Sequence, residues 1–277
     1  MTLTDSHTHI FSEAQVAARA ALCARDSTFA ELYRDPKAKL ATGTDLLSAL
    51  DVAGLDRAVA VGFAFAAAAD IAEQNACLLS AARESKGRII ALATVNPAIP
   101  GWEAAARGAL AAGARGFGEL RPHNQGWDPL GAQGETLYGL AATAGAVLLW
   151  HVSERVGHAY PGKSGGIAPE ELLEVAVRHP DLRMIGAHLG GGLPFFAQMP
   201  EVREALGNVW FDTAAGSLLY DEQSVARLIG LVGVERVLFG SDYPLLSPKR
   251  QFQRITALLP GDVTRAVCGG NAETLFG

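Results

Sequence analysis

Asp5-Ser6-His7-Thr8-His9 places two histidines two positions apart at the end of a short run that begins near Leu3. On an extended strand alternate side chains point to the same face, so the imidazoles of His7 and His9 project together. Side by side, they suit two ligand positions on one metal ion. The plainer alternative is a polar strand end whose histidines only make hydrogen bonds. The rest of the chain separates the two readings, according to whether other apolar runs also close on a residue able to bind metal.

They do. Ala146-Val147-Leu148-Leu149-Trp150 closes on His151, Met184-Ile185-Gly186-Ala187 on His188, Gly116-Phe117-Gly118 on Glu119, and Val237-Leu238-Phe239-Gly240-Ser241 on Asp242. Apolar runs rich in β-branched residues at 3–9, 58–65, 88–95, 114–120, 147–151, 184–188, 209–212 and 237–242 read as strands. Stretches of helical period at 45–52, 70–82, 102–111, 169–177 and 221–231 fall between them. Strand and helix in alternation make a parallel sheet with crossover helices. The pattern predicts an α/β chain folded as a (β/α)8 TIM barrel, with eight parallel strands inside and helices outside. Such a barrel gathers residues distant in sequence at the C-terminal ends of its strands. A doubly wound open sheet would carry a glycine-rich first βα turn, and here that turn carries histidines. Two long connections, 12–43 (read as partly helical) and 153–168, should overhang the catalytic face.

A barrel typically needs about 250 residues, so 277 residues are read as a single domain over 1–277. A net charge of −6 argues against nucleic acid or an acidic membrane as partner, since either calls for a basic patch. A small-molecule substrate fits better. The longest apolar run, 58–69, is too short to span a bilayer as a helix. Cys23, Cys77 and Cys268 lie far apart without a CxxC pairing, which disfavours disulfides and thiolate zinc sites and points to a reducing cytoplasm.

The opening histidine pair with Asp5, the later histidines, the Phe-Gly-Ser-Asp-Tyr-Pro stretch at 239–244 and the closing Gly270-Asn271-Ala272-Glu273-Thr274-Leu275-Phe276 resemble the amidohydrolase superfamily. Within it, the chain is similar to the amidohydrolase-2 branch, which includes aminocarboxymuconate-semialdehyde decarboxylase and lactone hydrolases. The resemblance implies that His7, His9 and His151 are metal ligands. It makes Asp242 a ligand and proton acceptor, and His188 a second ligand or acid/base. Glu119 stands where some members bridge two ions, so one or two divalent ions are expected, with zinc first among the candidates. Imidazole and carboxylate donors suit that ion, and a bound water would ionise near neutral pH. Asp5 is read as a hydrogen-bond partner that orients a ligand.

Arg121, His123 and Trp127 follow Glu119, and His158, Tyr160 and Lys163 follow His151. These are candidates for gripping substrate, against the alternative of solvated loop residues. Gly190-Gly191-Gly192 is a turn rather than a phosphate loop, and His179 reads as a helix end. The leading expectation is a metal-dependent hydrolase of an amide, lactone or other carboxyl derivative. The second is a metal-dependent nonoxidative decarboxylase of an aromatic or unsaturated carboxylic acid. A phosphodiesterase and a non-catalytic binding protein rank behind both, and a homodimer is compatible with any of them.

Overall fold

The alternation folds into a closed ring of strands in the computed structural model, which describes residues 2–277. The strands among the described residues are β1 (Thr4–His9), β2 (Arg57–Val61), β3 (Ile89–Leu92), β4 (Gly116–Leu120), β5 (Val147–Trp150), β6 (Arg183–Gly186), β7 (Val209–Asp212) and β8 (Val237–Leu238). They pair in parallel in the orders β1-β2-β3 and β4-β5-β6-β7-β8. Two bridges close the ring, Ala93 to Phe117 and Thr8 to Tyr243. Around the first, Gly118 N–H donates to the Ala93 carbonyl at 3.0 Å; around the second, His9 N–H donates to the Tyr243 carbonyl at 2.6 Å. The fold is a (β/α)8 barrel, as the sequence predicts.

Strand alternation divides the core into two layers. Val59, Val61, Leu92, Val147, Leu149, Ile185, Trp210 and Leu238 pack together inside the barrel, with Leu275 and Phe276 of the C-terminal helix against them. The intervening residues, among them Ala58, Ala60, Leu148, Met184 and Phe211, face outward onto helix residues such as Leu46, Leu50 and Leu78. Full burial of one such aliphatic side chain contributes about 1.5–3 kcal/mol. On β5 the inward series Val147, Leu149 continues to His151, so one periodicity both fills the barrel and delivers a polar group to its mouth.

Several strands end earlier than their apolar runs. β6 stops at Gly186 and β8 at Leu238. Beyond them, His188 (φ 59°) and Asp242 (φ 62°) take left-handed backbone conformations that no strand can contain. Non-glycine residues adopt that conformation at a cost and keep it only where their surroundings dictate it. The Asp242 N–H donates to the His7 carbonyl at 3.0 Å, and the His188 N–H to Asp212 Oδ1 at 3.0 Å. Gly240 answers a spatial demand, since a Cβ there would lie 2.9 Å from the Cβ of His7.

The 12–43 connection is partly helical as expected, with helices at Glu13–Ala17, Arg19–Arg25 and Ser27–Tyr33. Asp26 fixes it to the barrel by accepting from Phe29 N–H at 2.8 Å and Ala66 N–H at 3.0 Å. Phe11, Phe29, Phe63 and Phe65 form the aromatic packing beneath it, with Tyr33 against them. Helix Ala132–Ala144, with Gly134 and Gly139 along it, shows too weak an apolar stripe to be read from sequence. Among the described residues, no helix is long and apolar enough to cross a membrane.

Candidate metal centre

His7 and His9 turn the same way, with their Nε2 atoms 3.3 Å apart. Asp242, arriving from the far end of the chain, brings Oδ1 to 3.5 Å from His9 Nε2 and 4.0 Å from His7 Nε2. On the other side of the mouth, His151 Nδ1 lies 2.7 Å from Glu119 Oε1, and His188 Nε2 lies 3.1 Å from both of those atoms. Glu119 joins the two groups, 3.9 Å from His7 Nε2 and 3.8 Å from His9 Nε2. All six side chains are buried. Two donors each about 2.1 Å from one ion stand about 3 to 4 Å apart, and apart from the 2.7 Å between His151 Nδ1 and Glu119 Oε1 the separations here fall in that range.

The outward nitrogens of three imidazoles are already occupied. His7 Nδ1–H donates to Asp212 Oδ2 at 2.8 Å, and His188 Nδ1–H donates to the Ala214 carbonyl at 3.0 Å. His151 Nε2–H donates to the Gly162 carbonyl at 2.7 Å. A carbonyl oxygen only accepts, so the proton of His151 sits on Nε2 and Nδ1 faces the site. Such outer contacts set which nitrogen can bind metal.

Charge tells the same story. Burial opposes charge on His7, but Asp212, Glu119 and Asp242 outweigh it and push the imidazole up to about 10. Burial likewise opposes charge on His188, and Glu119 reverses it, so this histidine too is raised. Burial pushes His9 down; burial with the nearby Arg121 charge pushes His151 down to about 4. Burial alone would raise Glu119, yet His151, His188 and His7 hold it well below the usual carboxylate range. With its Nε2 proton given to the Gly162 carbonyl, His151 turns Nδ1 toward Glu119 Oε1 at 2.7 Å. Glu119, His151 and His188 thus bring imidazole nitrogen and carboxylate oxygen together, as His7, His9 and Asp242 do, and this donor set fits a divalent metal ion.

Asp212 was missed by the sequence reading, although the signal was the same: it closes the apolar run Val209-Trp210-Phe211. Besides His7, it accepts from the backbone N–H groups of His188 and Ala214 through Oδ1. Asp5 accepts from the N–H groups of Ser241 at 2.9 Å and His7 at 3.3 Å, tying β1 to the segment that carries Asp242. Burial pushes its carboxyl up to about 7.

The expected substrate-gripping residues divide. Arg121 is buried beside the cluster; its Nη2 donates to the carbonyls of Gly162 and Ser164 and its Nε to Asn124 Oδ1, leaving Nη1 outside these bonds. Tyr160 sits on the 153–168 loop with its hydroxyl donating to Glu154 Oε2 at 3.3 Å, and the exposed His158 ring lies 5.5 Å from it. Lys163 Nζ donates to the carbonyls of Val156 and His158, bracing that loop from within. His123 and Trp127 are set apart from the donors. His123 is exposed and bonded to Glu171 at 3.0 Å. Trp127 is buried against Trp150, its Nε1–H donating to Gln125. An indole this size is held by the outer core rather than by the mouth.

A family model described as "Amidohydrolase" matches residues 4–277. The 2-amino-3-carboxymuconate-6-semialdehyde decarboxylase of Dictyostelium discoideum is 28% identical over a match covering 36% of this chain and 32% of that relative. The chain thus matches about a third of that relative's length. The 5-carboxyvanillate decarboxylase of Sphingomonas paucimobilis superposes with a TM-score of 0.80 at 17% identity, over 99% of this chain and 98% of the other. The 5-carboxyvanillate decarboxylase of Novosphingobium aromaticivorans, complexed with manganese and a nitrobenzoic acid, gives 0.78 at 16% identity over 99% and 96%. At such identities the structural likeness shows the shared barrel. These findings correct the leading expectation of a hydrolase: the curated relative is a decarboxylase, and proteins of the same fold are named decarboxylases. Zinc, first among the expected ions, gains no support beside a manganese-bound neighbour.

Proposed function

The chain belongs to the amidohydrolase family, and from that premise we propose that it is a metal-dependent nonoxidative decarboxylase of a small aromatic or unsaturated carboxylic acid. The observation that carries the reaction type is the match to a named decarboxylase, against a mouth whose donors suit a divalent ion. In this reading His7, His9, His151 and Asp242 hold the ion, with Glu119 as a further donor. Manganese ranks ahead of zinc, because carboxylate donors suit it and a neighbour of the same fold carries it. When bound, the ion anchors the substrate's oxygen atoms and draws off the negative charge that builds up as the carboxyl group leaves.

The rest falls to the protein's own side chains. Loss of CO2 leaves the bonding electron pair on carbon, and that carbon must take up a proton. His188, whose hold on a proton Glu119 strengthens, and Asp242 are the buried groups proposed to supply it. Arg121, through Nη1, is proposed to grip the substrate's anionic group from the side of β4. Burial of the donors excludes bulk water, which strengthens each of these charge interactions. The reducing cytoplasm remains part of the proposal, on the free state of Cys23, Cys77 and Cys268.

The test is CO2 release from a panel of hydroxybenzoic and unsaturated carboxylic acids by protein loaded with manganese, beside protein treated with chelator. The proposal expects metal-dependent release from at least one acid. Turnover of esters, lactones or amides with no CO2 from any acid would overturn it.

A further inference from the structure

The loop at 153–168 lies across the mouth, and Gly162 joins it both to the side chains of the metal centre and to the other overhang. The Gly162 carbonyl accepts from His151 Nε2 at 2.7 Å and from Arg121 Nη2 at 2.9 Å. The Gly162 N–H donates to Glu31 Oε1 at 2.7 Å, and Glu31 belongs to helix Ser27–Tyr33 of the other overhanging connection. Neighbouring bonds continue the seam: Arg121 Nη2 donates to the Ser164 carbonyl at 2.6 Å, and Asn124 N–H to the Gly165 carbonyl at 3.0 Å. Gly162 is left-handed (φ 87°), and a Cβ there would stand 2.9 Å from Leu32 Cδ2, so only glycine sits in this notch without displacement.

We propose that Glu31 is a positioning residue that, by holding Gly162, sets the metal-facing nitrogen of His151 and the orientation of Arg121. The physical ground is the directionality of the two bonds on either side of Gly162. Its carbonyl requires a proton on His151 Nε2, which leaves Nδ1 as the donor turned toward Glu119 and the metal pocket. The same carbonyl fixes one edge of the Arg121 guanidinium. With Glu31 removed, nothing else in the first overhang holds the Gly162 N–H. The loop is then freer to lift, and His151 is free to rotate or to move its proton to the other nitrogen. Partners of this outer kind typically change metal affinity by about 10- to 100-fold. The inference rests on His151 being a ligand, as proposed above, and not on which reaction the site performs.

The experiment compares wild type with Glu31→Ala, Glu31→Gln and Gly162→Ala as full-length protein. Two quantities are read: trypsin cleavage after Lys163, and cobalt(II) titrated into chelator-treated protein and followed by its visible ligand-field bands. Glu31→Ala should be cleaved after Lys163 at least about tenfold faster and should bind cobalt about tenfold more weakly, with altered bands. Glu31→Gln keeps the accepting oxygen and should stay near wild type. Gly162→Ala should resemble Glu31→Ala by a different route. Unchanged cleavage in Glu31→Ala, faster cleavage with unchanged cobalt binding, or a Glu31→Gln variant as impaired as Glu31→Ala would each overturn the proposal. Failure of the decarboxylation assay alone would leave these readouts, and so the proposal, standing.

Discussion

The two halves of the donor cluster are built differently. His7, His9 and Asp242 belong to the β1–β8 seam, where every support comes from the barrel: Asp212 on the outer nitrogen of His7, Asp5 across to Ser241, and the His7 carbonyl under the Asp242 N–H. Glu119, His151 and His188 line β4 to β6, and there His151 takes its outer support from a loop carbonyl. The supports of His7 and Asp242 are therefore in place once the barrel closes. The second half is completed only when residues 153–168 are in place. Sites placed on rigid strands hold their geometry better than sites supported by loops. The contrast suggests a division of labour, with a permanent metal anchor on one side and a side that responds to the loop on the other.

The strongest way to break that contrast is at the anchor. Asp242→Asn should lower CO2 release by about a thousandfold while far-ultraviolet circular dichroism stays native, since it removes a charge and a proton donor but not bulk. Retained turnover would show that the anchor lies elsewhere. Glu119→Gln, which touches both halves, should weaken manganese binding by at least about 100-fold in calorimetry, because it takes the charge from a proposed donor, where loss of an outer partner alone costs about 10- to 100-fold. A change confined to His151 and His188, seen in their NMR resonances with manganese affinity intact, would place the ion wholly in the first half.

Asp212→Asn should have a smaller effect, about tenfold in manganese affinity, because the single amide oxygen can accept from His7 Nδ1–H or from the His188 and Ala214 N–H groups but not from both. If its effect exceeded that of Glu119→Gln, support from β7 would outrank the shared carboxylate. The smallest effect concerns stability. The folded Asp5 carboxyl titrates near 7 against an ordinary 3.8, so between those values the folded protein holds more protons than the unfolded chain. Stability of chelator-treated protein should then fall as pH rises from about 4 to about 7 and level off above, with a slope of up to about 1.4 kcal/mol per pH unit. Asp5→Asn should flatten that slope in urea midpoints measured across the range. An unchanged slope would mean that Asp5 binds its proton equally in the folded and the unfolded chain.

Much of this was legible in the sequence because strand periodicity does two things at once. The inward positions of β5 fill the barrel with Val147 and Leu149 and then present His151, so one pattern reveals both fold and donor. Asp212 was legible by the same rule and went unassigned because a carboxylate ending a strand has many uses. His188 and Asp242 were read as strand ends but lie past them, since left-handed backbone leaves no mark on hydropathy. Arg121 could be placed near the site, but not its bonds to Gly162 and Ser164, which depend on how a glycine-rich loop folds back. For Trp127 and His123, proximity in sequence misled: one turned into the outer core and the other toward Glu171.

The central claim is that donors more than two hundred positions apart share one ion. Anomalous scattering from crystals grown with manganese tests it most directly. The expected peak lies within bonding distance of His7 Nε2, His9 Nε2 and Asp242, with His151 Nδ1 turned toward it. A fully loaded protein whose peak lay away from both imidazoles of β1 would contradict it.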